Sequence, residues 1–182
     1  RAWLEHFHDH EVNGIGFGFV AIQRIGDDEP ADILAEEMPQ TFGDPLGPEV
    51  EEYFARVAWL RDLVPGELQG KHFQVRPGLA REDISTPDEE TQQGFTRAAL
   101  RITRTDGPRW SHEVDEHLAA IVAGLNPQGL NLEETIGLYA AAHGFDEEEI
   151  TAAALPAVID MVRHGLLIPA DLLLDADSAD LT

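Results

Sequence analysis

Three histidines at alternate positions, His6, His8 and His10, are the first residues in this chain whose spacing could do chemistry. On a strand they would share one face and could ligate a metal, because imidazole suits zinc, copper, iron and nickel. On a helix only His6 and His10 meet, as an i,i+4 pair. Trp3, Leu4 and Phe7 recur at helical spacing around them, so the segment predicts surface histidines on a helix. A second set is Ser111-His112-Glu113-Val114-Asp115-Glu116-His117. It resembles a zinc-protease helix but fails on spacing, since a second histidine is required four residues after the first and position 116 is Glu. His112 and His117 diverge by about 140° on a helix of 3.6 residues per turn. The stretch therefore predicts the charged first turn of a helix running from about Glu113 to Ala123, its acids matched to the helix dipole. Gly14, Gly16 and Gly18 lack the G-x-G-x-x-G spacing and sit inside an apolar strand pattern, which argues for close packing rather than a phosphate cradle. There is no cysteine, hence no thiol catalysis, disulfide or zinc–thiolate site. No catalytic, cofactor-binding or metal-binding set is predicted.

The remaining candidate is electrostatic. The chain has 35 acidic and 12 basic residues and a net charge of −23, and Lys71 is its one lysine. From Gly107 to Thr182 fourteen Asp and Glu face two cations, Arg109 and Arg163. Four consecutive acids, Asp146, Glu147, Glu148 and Glu149, form one helical turn and are the predicted partner-binding residues. Nucleic-acid affinity comes mainly from basic side chains displacing counterions, so nucleic-acid binding is not expected. A basic protein is the expected partner. No apolar stretch is long enough to span a membrane, and no signal peptide is visible. Cytoplasm is the default location.

The predicted fold is α+β: short antiparallel strands with helices, followed by a three-helix, winged-helix-like domain. Residues 1–25 read as the closing helix and strand of a larger domain, with Ile15–Ile25 as a two-sided apolar strand. Residues 26–106 form a connecting α/β region. It holds a short helix around Ile33–Met38 and a helix from Pro48 to near Pro65, with Pro48 suited to a first turn. Strands at Leu79–Ser85 and Phe95–Thr105 make a hairpin, and Arg97, Arg101 and Arg104 give it a basic face paired with nearby acids. Residues 107–169 carry three helices. Asn131 with Glu134, and Asp146 with Glu149, are capping-box patterns. Gly144 and Gly165 are stops, Pro156 kinks or divides the third helix, and Leu166–Pro169 follows as a strand. Residues 170–182 are an acidic tail. Ile15–Ile25 is expected to pair with the Phe95–Thr105 strand and to drive self-association if left uncovered.

Several of these stretches together resemble one family. Trp3-Leu4-x-x-Phe7, then Gly14-Ile15-Gly16-Phe17-Gly18-Phe19-Val20 and Arg24, are similar to the last helix and strand of class I S-adenosylmethionine-dependent methyltransferases. The relatives in question are the actinobacterial ones akin to the release-factor glutamine and adenine-N6 methyltransferases. Pro45-Leu46-Gly47-Pro48, Trp59-Leu60-Arg61 and the stretch Gly107–Asp115 fit the same pattern, as do Leu155, Pro156, Val158, Gly165, Leu167 and Pro169. The family's cofactor loop and its Asn-Pro-Pro-Tyr-type motif have no counterpart in this sequence. The resemblance implies an accessory, substrate-positioning region whose catalytic domain lies upstream, with S-adenosylmethionine bound by that domain and not here. The alternative is a non-enzymatic acidic interaction module of winged-helix type.

Overall fold

A computed structural model describes residues 2–12, 18–26, 33–41, 43–44 and 46–173, in two units, 1–34 and 35–182. In the larger unit α2 spans Gly47–Asp62, with Pro48 in its first turn, where the missing N–H costs nothing. It stops at Leu63, which is extended two residues before Pro65. (The first helix, α1, belongs to the smaller unit and is Ala2–Asp9.) After a 3-10 turn at Leu68–Gly70, β1 (Phe73–Val75) leads into a long hairpin made of β2 (Leu79–Pro87) and β3 (Phe95–Arg104). β4 (Ser111–Glu113) follows, then α3 (Glu116–Gly124), α4 (Leu132–His143), α5 (Glu147–Arg163) and β5 (Leu167–Pro169). The fold class is mixed α+β, as the patterning predicted.

Two antiparallel sheets organise these elements. β1 pairs with β5, Phe73 opposite Pro169, and β3 lies between β2 and β4. The strand after the third helix thus takes its partner from the chain before the helices. The outer half of the hairpin is exposed on both faces, while Leu100 and Ile102 nearer its base are buried.

The helix ends follow local chemistry. Asn131 Oδ1 accepts from Glu134 N at 2.8 Å and Glu134 Oε2 from Asn131 N at 3.0 Å, completing the capping box. Asp146 Oδ1 caps α5 through Glu149 N at 2.9 Å. Gly144, with φ 72°, closes α4 in the left-handed region that glycine enters without steric cost. Pro156 does not divide α5, which is one helix from Glu147 to Arg163. Pro156 and Ala152 are both exposed, so the carbonyl freed by the missing N–H is open to solvent.

One core unites the larger unit. Phe73, Leu100 and Ile102 pack with Ile121, Leu132, Ile136, Val158, Met161, Leu166 and Leu167. Each such side chain contributes roughly 1.5–3 kcal/mol on burial. The predicted boundary between residues 106 and 107 therefore runs through a single core. Two further expectations are corrected. Residues 33–39 form no helix. Ser111–Glu113 is a strand rather than a helical turn, because β3 offers it a free edge and the Thr103 and Ser111 hydroxyls meet across the pair at 2.8 Å. The acidic tail beyond residue 173 lies outside the described residues.

In the smaller unit α1 is helical as predicted, and the His6 and His10 rings lie 4.2 Å apart as an i,i+4 pair. Residues 18–26 have no regular structure, and Phe19, Val20 and Ile22 are exposed; residues 13–17 lie outside the described ones. The predicted pairing of Ile15–Ile25 with Phe95–Thr105 is not found in residues 18–26, which form no strand. Among the described residues no helix is long and apolar enough to cross a membrane.

Candidate functional site

The two ends of α5 hold the charged groups of the larger unit in opposite ways. At the C-terminal end, three arginines converge on the last carbonyls. Arg56 Nε donates to Arg163 O at 3.3 Å and Arg104 Nη1 to His164 O at 3.4 Å, and Arg76 Nε donates to Gly165 O. These are the carbonyls a helix leaves without internal partners, at the negative end of its dipole. Glu49 bridges two of the arginines, with Oε1 2.6 Å from Arg56 Nη2 and Oε2 2.6 Å from Arg104 Nη2. The second contact is a close ion pair whose angles are poor for a hydrogen bond. Arg104 also meets Asp106 at 2.7 Å, and Glu52 joins Arg56 to Arg76. Side chains of Arg56, Arg104 and Glu49 are only 2%, 3% and 8% exposed. Burial lowers the Arg56 pKa against the pull of Glu49. It is also the largest influence on Arg104, yet Glu49 and Asp106 together hold that guanidinium above its ordinary value. Gly165 has φ 73°, and a Cβ there would lie 2.9 Å from both the Arg56 and Arg104 guanidiniums, so glycine makes room for the cluster.

The basic hairpin face is corrected accordingly. Arg97 and Arg101 are half-exposed and paired, Arg97 with Asp83 at 2.7 Å and with Glu116, Arg101 with Glu113 at 3.6 Å. Arg104 sits in phase with Leu100 and Ile102, on the buried face. The period of two in a strand requires this.

Beside this cluster lies a relay. Glu36 Oε1 is 2.9 Å from His164 Nε2, and His164 Nδ1 is 2.9 Å from His112 Nε2. Trp110 stacks on His164 with centroids 4.0 Å apart and planes 11° from parallel. A carboxylate only accepts, so the network assigns the His164 proton to Nε2 and the bonding proton of His112 to its Nε2. His112 is pushed down to about 4, first by burial and then by His164. It is a neutral imidazole at physiological pH, and no hydroxyl is hydrogen-bonded to it among the described residues. The relay ends without a nucleophile there, and it fastens residue 36 to the core.

At the N-terminal half of α5 a cavity of about 460 Å³ opens between α3 and α5. Its floor is buried and apolar: Val114, Leu118, Ile121 and Ala154, with Ile150 half-buried. Its rim carries Glu113, Asp115 and Glu149 with His117 and Phe145. His117 Nδ1 hydrogen-bonds Tyr139 Oη at 2.8 Å, and its ring meets Phe145 edge-on at 4.8 Å, fixing an aromatic wall. Glu149 has no ion pair among the described residues; Asp115 caps α3 through Leu118 N at 2.7 Å. Two helix N-termini face this rim, each equivalent to about half a positive charge. Three carboxylates on the rim outweigh them.

The four predicted acids are all exposed and take different positions. Asp146 is the helix cap, Glu148 is exposed, and Glu147 lies over α4, where a Cβ at Gly137 would meet its carboxylate at 3.3 Å. Glu149 alone reaches the cavity, beside Glu113 and Asp115, which sequence reasoning assigned to a helix turn. Phe145 was missed; the signal was an aromatic residue standing between the stop at Gly144 and the cap at Asp146. His112 and His117 separate because they lie on different elements, His112 on β4 in the relay and His117 on α3 at the rim, and not through divergence on one helix. Among the described residues no three His, Asp or Glu are placed to hold a metal.

The family profile of a domain of unknown function (DUF7782) matches residues 51–169, which contain the whole cavity and Arg56, Arg76 and Arg104 of the buried cluster, while Glu36 and Glu49 precede it. No curated protein and no solved structure matches the chain.

Proposed function

We propose that this chain, which belongs to the DUF7782 family, is a non-catalytic acidic region that positions a cationic protein partner, as the accessory part of a cytoplasmic S-adenosylmethionine-dependent methyltransferase. The observation that carries the reading is the partition of charge. Arg56, Arg76 and Arg104 are turned inward, and Arg81, Arg97, Arg101 and Arg163 sit on acids of the chain itself. The rim around Glu149 keeps its negative charge for something else. The methyltransferase part of the reading rests on the resemblance of residues 3–24 and of the segments that follow. The described residues do not fit S-adenosylmethionine: the turn from β4 into α3 is Val114-Asp115, and the turn after β5 begins at Ala170, so neither strand-to-helix turn carries the glycines a nucleotide-type cofactor loop uses.

Calorimetric titration of the full chain with an arginine-rich peptide tests the reading, at low and at physiological ionic strength. Binding that weakens as salt rises is expected, because exposed charges are screened within about 8–10 Å. A triple variant Glu147→Lys, Glu148→Lys, Glu149→Lys should lose more affinity than the same reversal on the hairpin at Glu82, Glu89 and Glu90. Equal losses would reduce the effect to bulk net charge and defeat the proposal. Duplex DNA should not be retarded by the unmodified chain in a gel at physiological ionic strength, and a salt-sensitive complex near micromolar DNA would contradict the assignment.

A further inference from the structure

We infer that the cavity between α3 and α5 takes one long basic side chain, lysine or arginine, of the protein partner. This rests on the function proposed above and names what its site recognises. The volume, about 460 Å³, lies within the range of small-ligand sites, roughly 300–1,000 Å³. Its chemistry is layered. Leu118, Ile121 and Ile150 offer an apolar surface at the bottom, and the carboxylates of Glu113 and Glu149 stand at the mouth. Lysine and arginine have the same layering, a methylene stem and a charged head, and bury the one while keeping the other among polar groups. Glu113 is 3.6 Å from Arg101 and Asp115 caps α3, so an aliphatic side chain would leave Glu149 desolvated without a partner, and an acidic one would be repelled by it. Phe145 adds a second source of selectivity. The residue is 44% exposed at the rim, its ring edge-to-face with His117 at 4.8 Å and near-parallel to His143 and Tyr139 at 6.0 and 6.2 Å, and a cation meeting its exposed part gains about 0.5–2 kcal/mol. The orientation follows: head at the Glu149–Phe145 side of the mouth, stem toward Ile121.

Nuclear magnetic resonance of the full chain, with its methyl groups labelled, tests this with N-acetyl-argininamide and N-acetyl-lysinamide as probes and N-acetyl-norleucinamide as the uncharged control. Both cationic probes should shift the Leu118, Ile121 and Ile150 methyl signals, and the control should not. In parallel, Ala153→Phe, which fills the mouth from an exposed helix position, should weaken the arginine-rich peptide at least tenfold. Phe145→Ala should weaken it about fivefold. Should Ala153→Phe fail to fold, Phe145→Ala and Glu149→Gln, both at exposed positions, carry the same test. Salt-sensitive peptide binding that Ala153→Phe, Phe145→Ala and Glu149→Gln leave unchanged would overturn the cavity assignment while leaving the acidic-surface reading intact. Equal shifts with the norleucine control would overturn it as well. No peptide binding at any ionic strength would overturn both.

Discussion

Helix α5 is held by arginines at one end and lined by acids at the other, and the two ends treat charge differently. Around Arg163–Gly165 the carbonyls, Glu49 and three guanidiniums form a closed set in which the central charges have lost their water. Such a set is held by mutual dependence: removal of one member leaves the others charged and desolvated. Around Glu149 the acids face an open cavity whose floor is apolar. Exposed charges there contribute little to stability. The contrast shows how one acidic chain separates the charges that hold its fold from those left at its surface.

The largest expected effect breaks the closed end. Arg104→Ala removes one of the two guanidiniums that hold buried Glu49 and should cost about 3–5 kcal/mol in urea denaturation, a large part of the roughly 5–15 kcal/mol that a domain has. A loss below about 1 kcal/mol would show that the cluster behaves like a surface pair and would erase the distinction. Next comes acid. His112 in the folded chain titrates at about 4 against an ordinary 6.5, so between those values the unfolded chain takes up a proton that the folded one refuses. Stability from this group is therefore full above about pH 6.5 and declines as pH falls toward 4, by on the order of 3 kcal/mol. His112→Asn should remove that part of the pH slope; identical slopes for the two proteins would refute the desolvated imidazole.

At the open end the effect is on binding. The triple lysine variant at Glu147, Glu148 and Glu149 should weaken the arginine-rich peptide about tenfold, equivalent to about 1.4 kcal/mol. Its stability should change by less than the Arg104→Ala loss, a comparison that melting curves supply. Smallest of all is Arg81→Ala. Its pair with Glu116 spans 3.4 Å with side chains 55% and 54% exposed, and exposed pairs contribute about 0–1 kcal/mol. A loss rivalling that of Arg104→Ala would mean that burial does not set the scale.

What the sequence determined by itself lies within a few residues of chain. The caps at Asn131 and Asp146, the stop at Gly144, helix α2 with Pro48 in its first turn and the hairpin strands were legible because each depends on neighbours one turn or one pleat away. Even the burial of Arg104 was written there, in its phase with Leu100 and Ile102, although three arginines in one strand read as a single basic face. The acidic balance of the chain was likewise a matter of composition. Tertiary structure decided the rest, because the deciding contacts cross long stretches of sequence. β4 is a strand because β3 offers it an edge, and β5 finds its partner ninety-odd residues back at β1. Glu49 becomes a buried bridge once β3 brings Arg104 against α2. Glu113 and Glu149 share one cavity because the segment from β4 into α3 and the first half of α5 both line it. Desolvation and long-range pairing are sums over elements distant in sequence, so which charges are locked away and which stay open was settled only when the helices and sheets came together.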